Sequence, residues 1–309
     1  MKITMTLVAA TALALTAFGS AQAEEVKRLG LAVTNLQADY FNQIKIGVET
    51  YAKELGIEVI TVDAKNDGAT QVSQVQDLLT QDIDALIYLP AGAAAATVPA
   101  RLAKQQGIPV VNVDRNAEGE PGDTFIATDN AASAYDVCKH IIGLAGGKGK
   151  MIMIHGQKGT TPEVERTKGC MKAIEENPGV ELVAQQWSQQ WSQAEGLDIT
   201  QNLLQANPDV NIIFGQADGL ALGAAQGVKV SNVSQRVYVG GFDGDTTALP
   251  ILAAGGYDAT ATQQVRGIGR LAVDSAIKLA AGEDLPAEQL LPGFLTTPEN
   301  AQQYVENHP

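Results

Sequence analysis

A strand-then-helix rhythm, run through twice, constrains this chain more than any other feature. Arg28 to Val33 is a short apolar run, and after Asp39 the residues Phe41, Ile44, Val48, Tyr51 and Leu55 recur at spacings of three or four until Gly56. Ile57 to Val62 reads as a second strand, Val72 to Leu79 as a second helix, and Ala85 to Leu89 as a third strand ended by Pro90. Ala95 to Gln106 and Pro109 to Val113 continue the series, and it restarts after Thr128. Helices around Ala131 to Ala145, from Thr161-Pro162, through Ile199 to Leu204 and near Leu220 to Ala225 then alternate with strands at Lys150–His155, Val180–Gln186, Val210–Gly215 and Arg236–Phe242. Such alternation predicts an α/β fold of two similar doubly wound domains, each a parallel sheet covered by helices on both faces. Both series contain an apolar strand that delivers an aspartate at its carboxyl end, Asp114 and Asp243. That is the end at which open α/β sheets bind ligands.

The 309 residues suit two cores better than one. A net charge of -14, from 21 basic and 35 acidic residues, argues against nucleic acid or an anionic membrane as partner. Residues 1–23 read as a secretory leader: Lys2, an apolar run from Met5 to Phe18, and Ala21-Gln22-Ala23 as the cleavage signal. Cleavage after Ala23 and export into an oxidising space are expected. In that oxidising space the two cysteines, Cys138 and Cys170, are either a disulfide or two buried thiols. The Ala91–Ala96 run reads as close helix packing, not as a linker.

Catalytic signatures are sparse. His140, His155 and His308 show no metal-ligand spacing, so neither metal nor cofactor is expected. The glycines from Gly146 to Gly149 precede a strand, where a phosphate loop must follow one, and read as a helix stop and turn. Paired carboxylates at Asp114 and Asp243 would suit a glycoside hydrolase. Against that, Arg115 beside Asp114 should hold it ionised, as an acceptor and not a proton donor. Tyr40-Phe41 and, among glutamines, Trp187 and Trp191 offer flat faces of the kind that bury a sugar ring.

Taken together, the chain resembles the periplasmic sugar-binding proteins of ABC transporters, in the ribose-binding-like group of the type I periplasmic binding fold. The resemblance is carried by Asp39-Tyr40-Phe41, Val113-Asp114-Arg115, Thr128-Asp129-Asn130, Glu165-Arg166-x-x-Gly169, Asn202-Leu203-Leu204 with Pro208-Asp209-Val210, Gln216-Ala217-Asp218, Gly241-Phe242-Asp243-Gly244 and Ala259 to Gln263, in order. It implies that Tyr40, Phe41 and Trp191 sandwich a ring, that Asp114 and Asp243 accept from hydroxyls, that Arg115 and Arg166 donate, and that Gln263 adds an amide. Thr34 and Thr128 would line the base of the cleft. By the same resemblance, Cys138 and Cys170 lie on helices placed to be neighbours, which favours the disulfide. Three crossings near Thr128, Gln263 and Leu291 would divide the chain into a lobe of 24–128 plus 264–291 and a lobe of 129–263 plus 292–309.

Two departures bear on the ligand. Where the ribose binders carry asparagines, this chain has Ala38 and Ala217. The expectation is a monomeric solute-binding protein that closes on a monosaccharide, a furanose or a sugar alcohol and presents it to a membrane permease. A chemoreceptor-coupled sensor would use the same cleft. A transcription regulator of this fold would need DNA-binding helices where the leader stands.

Overall fold

The computed structural model describes residues 26–92, 96–117 and 119–309; the leader expected over residues 1–23 and residues 93–95 of the alanine run lie outside them. In chain order the first elements are β1 (Arg28–Val33), α1 (Asp39–Glu54), β2 (Glu58–Asp63), α2 (Gly68–Leu78), β3 (Ala85–Tyr88), α3 (Thr97–Gln105), β4 (Val110–Val113) and β5 (Thr124–Thr128). They are followed by α4 (Asn130–Leu144), β6 (Lys148–His155), α5 (Thr161–Glu175), β7 (Gly179–Trp187), α6 (Gln193–Ala206), β8 (Ile212–Gly215), α7 (Asp218–Val230) and β9 (Tyr238–Gly240). The chain ends with α8 (Leu249–Ala253), β10 (Thr260–Thr262), α9 (Val265–Ala280), β11 (Glu288–Leu291), β12 (Phe294–Thr296) and α10 (Ala301–Glu306).

The first sheet has the order β11-β5-β4-β3-β1-β2 and its pairings are all parallel. Its strands are apolar on both faces because helices cover both. Leu29, Leu31, Val33, Ile87 and Val111 meet Ile44 and Val48 of α1 and Ile268 and Ala272 of α9. Their alternates Ala32, Leu86, Tyr88 and Val110 meet Val75 and Leu78 of α2 and Ala100 and Ala103 of α3. The two-residue period of a strand makes this division.

The second sheet repeats the plan in the parallel order β7-β6-β8-β9. Met151, Met153 and Phe214 face α4 and α5, while Ile152, Ile154 and Ile213 face α6 and α7. Two bridges, Gly240 with Ala259 and Asp243 with Thr262, extend it towards the antiparallel pair β10-β12. Cys138 of α4 and Cys170 of α5, both fully buried, are joined as a disulfide. The close approach of these helices depends on Gly169, where a Cβ would lie 2.1 Å from the Ala131 carbonyl oxygen.

The chain passes between the two sheets at three places. β5 leads into α4, β10 into α9, and β11, which pairs with β5, into β12, which pairs with β10. Among the described residues no helix is long and apolar enough to cross a membrane.

Candidate ligand-binding cleft

The carboxyl ends of both sheets face one another across a cavity of about 470 Å³. Asp114 follows β4 and Asp243 follows β9, both on its wall with Tyr40 and Phe41 from the start of α1, Arg115, Arg166 of α5, and Trp191. Asp114, Asp243 and Trp191 have positive φ, at 65°, 117° and 58°. Side chains other than glycine avoid that region, and their clustering here marks backbone held in place by its surroundings.

Two of these conformations, those of Asp243 and Trp191, have identifiable support. Asp218, fully buried at the start of α7, accepts from the backbone N–H groups of Gly244 at 2.8 Å and Asp245 at 2.9 Å and from the hydroxyls of Thr260 and Tyr257. It therefore pins the loop that carries Asp243. Burial pushes Asp218 up to about 6 even so. The Trp191 loop is tied through Ser188, whose Oγ accepts from the Trp191 N–H at 2.7 Å and donates to Glu195. Burial raises Glu195, but hydrogen bonds from Ser188 and the backbone of Gln189, Gln190 and Ser192 outweigh it and hold the carboxyl below its usual range. Ser192 and Glu195 also form the capping box of α6. The indole lies directly over Gly156, where a Cβ would overlap the ring at 1.8 Å.

The charged groups engage one another. Arg166 Nη1 stands 3.2 Å from Asp243 Oδ1 and donates to the Gln216 carbonyl at 2.6 Å, while its Nε donates to Asn130 Oδ1 at 2.8 Å. Arg115 Nε lies 3.4 Å from Asp114 Oδ2. The pairing favours the ionised form of Asp114, as its place beside Arg115 predicts, but burial works against it. Burial dominates and raises Asp114, with Arg115 and Arg166 opposing it only in part. Burial likewise carries Asp243 up to about 7, with Arg166 opposing and Asp218 and Asp114 adding to it.

Several expected wall residues stand elsewhere. Thr34 is fully buried, its hydroxyl donating to the carbonyls of Leu89 and Pro90, and it does not line the cavity. Thr128 is also buried behind the wall. Gln263 lies behind Asp243, donating from Nε2 to Oδ1 at 2.8 Å, and acts on the cavity only through that carboxylate. Trp187 stacks on His155 at 4.5 Å and donates to Glu163, off the cavity. Ala38 and Ala217 do line it, as the N-cap residues of α1 and α7, and neither caps its helix with a side chain. Sequence reasoning missed Asn35, Asp39, Asn66, Gln190 and Asp245, which complete much of the wall. Only Asn66 stands apart from the residues already singled out: Asn35 adjoins Thr34, Asp39 adjoins Tyr40, Gln190 adjoins Trp191 and Asp245 lies two positions after Asp243.

Four polar contacts bridge the walls. Asp39 accepts from the N–H and hydroxyl of Thr246, Asn66 donates to Gln190, Arg115 to Gln157, and the Asn116 N–H to Thr161.

The model of the periplasmic binding protein domain matches residues 29–284, most of the chain. The chain belongs to the periplasmic binding protein family. It is similar to the ribose import binding protein of Bacillus subtilis (strain 168), 33% identical over 255 residues that cover 82% of each chain. The corresponding ribose import binding protein of Haemophilus influenzae is 32% identical over 288 residues, 93% of this chain and 97% of that one. Among solved structures, an ABC transporter solute binding protein from Bacillus halodurans C-125 with bound myo-inositol aligns at a TM-score of 0.84 and 26% identity, covering 91% of this chain and 98% of that one. As a member of this family, the chain is a solute-binding protein of the ABC transporter type and not an enzyme.

Proposed function

We propose that the cleft closes on one small polyhydroxylated molecule, a monosaccharide or a sugar alcohol, and hands it in the closed form to a membrane permease. The observation that carries this reading is the convergence of three aromatic side chains with four carboxylates, Asp114 and Asp243 among them, and two guanidinium groups on one cavity of about 470 Å³. Tyr40, Phe41 and Trp191 supply flat surfaces for C–H faces, Asp114 and Asp243 accept from hydroxyls, and Arg115 and Arg166 donate. Because these groups come from both walls, ligand favours the closed form. Charge-assisted hydrogen bonds contribute about 1.5 to 3 kcal/mol each, so a few of them reach the roughly -8 kcal/mol of micromolar binding.

On this reading the lobes are 24–128 plus 264–291 and 129–263 plus 292–309, the crossings are the hinge, and the leader is cut after Ala23. The protein acts as a periplasmic monomer. The relatives and the solved neighbour just described bind ribose and myo-inositol, which supports a pentose, a hexose or a cyclic polyol.

A thermal-shift screen over pentoses, hexoses and polyols tests the reading, since a ligand at 100 times its Kd adds about 2.7 kcal/mol of stability. Asp114→Ala and Asp243→Ala should each remove binding of the compound found, with a loss of about 2 to 4 kcal/mol by calorimetry. Binding within threefold of wild type in either variant would overturn the assignment.

A further inference from the structure

We propose that the ligand of this cleft carries a cationic nitrogen, an amino group on the sugar or polyol, and that Asp245 receives it. The inference rests on the cleft being a sugar or polyol site, and it names a ligand group which that reading leaves open.

The first observation is a charge count. Asp39, Asp114, Asp243 and Asp245 line the cavity against Arg115 and Arg166, four carboxylates to two cations, and no lysine or histidine joins them. Asp218 adds a further carboxylate directly behind the wall, its Oδ2 bonded to the Asp245 N–H. The second observation concerns how each carboxylate is met. Asp114 has Arg115, and Asp243 has Arg166 and Gln263. Asp39 accepts from Thr246 twice and from Gln43. The carboxylate of Asp245 receives no donor from the described residues; only its backbone is engaged. Its charged surroundings are the carboxylates of Asp243, Asp218 and Asp39 and the guanidinium of Arg166, whose Nε and Nη1 are already directed at Asn130, Gln216 and Asp243.

A third observation points to a ligand at this cavity independently of the acidic residues. The Tyr40 hydroxyl, on a side chain only 8% exposed and on the cavity wall, has no hydrogen-bond partner. A neutral hydroxyl group would give Asp245 a hydrogen bond and leave the excess of negative charge in place. An ammonium group supplies up to three donors and cancels part of that charge in a site from which closure expels water.

Calorimetry on the full-length mature protein tests this with matched pairs: glucose and glucosamine, galactose and galactosamine, sorbitol and 1-amino-1-deoxysorbitol, inositol and an amino-inositol. The tightest ligand should be an amine, at least tenfold tighter than its neutral partner. Asp245→Asn should cost that amine at least tenfold more in affinity than it costs the neutral partner, with Asp245→Ser doing the same. A neutral compound as tightest ligand of the wild type, or an amine whose affinity survives both substitutions, would overturn the proposal and leave the sugar or polyol reading standing. Failure of every neutral and amino compound to bind would overturn both.

Discussion

Asp39, in the first turn of α1, accepts two hydrogen bonds at 2.8 Å from a single residue of the opposite wall, the backbone N–H and the hydroxyl of Thr246. The pair joins residues 207 positions apart and forms only when the walls are together. Asp39→Ala should therefore weaken ligand binding by roughly fivefold, about 1 kcal/mol, chiefly by making the closed form less stable. Ligand dissociation should accelerate more than association slows. Stopped-flow kinetics with unchanged dissociation would show that the pair contributes nothing to closure.

Ala38 and Ala217 occupy helix N-caps, the positions where asparagine is among the most favourable residues. Replacing both by asparagine should act twice. Each new side chain can accept from a helix N–H, raising stability by about 0.5 to 1 kcal/mol, while its amide faces a cavity that now has methyl groups there. Ribose, expected at least tenfold weaker than the preferred ligand in the wild type, should gain on it in the double variant. Calorimetry with ribose as the tightest wild-type ligand would remove the premise.

The disulfide between Cys138 and Cys170 closes a stretch of 32 positions. Loop-closure arguments give such a link about 2 to 4 kcal/mol. Replacing both residues by alanine should lower the urea midpoint accordingly, and thiol labelling of the denatured, unreduced wild type should find no free cysteine. Two labelled thiols per chain would contradict the pairing.

Asp243 gives the ligand-free protein a pH dependence. Its folded value, pushed to about 7 mainly by burial, lies above the ordinary 3.8 of an exposed aspartate, so between these values the folded protein holds a proton that the unfolded chain has released. The resulting stability is complete below about pH 4 and is lost as pH rises through about 7. Asp218 and Asp245, also raised by burial, act with the same sign. Asp243→Asn should make the fall in Tm between pH 5 and pH 8 shallower. An equal slope in variant and wild type would mean that Asp243 is ionised throughout.

The sequence by itself determined the two βα series, the doubly wound sheets and the positions of Asp114, Asp243, Tyr40 and Phe41 at strand ends and helix starts. These follow from periods of two and 3.6 residues and from turn residues, which act between near neighbours in the chain. Tertiary structure decided what those local rules leave free. The resemblance already named Trp191 for the cavity, but how its indole is held there depended on Ser188, Glu195 and the space over Gly156. That Thr34 and Thr128 stand behind the wall, and Asn66, Gln190 and Asp245 on it, depended on how two separately wound sheets are set against each other. The direction in which Asp114 is shifted turned on the same thing: Arg115 is its neighbour in sequence, but the burial that raises its carboxyl comes from the folded assembly. Burial is a property of the assembled lobes, and no spacing along the chain encodes it.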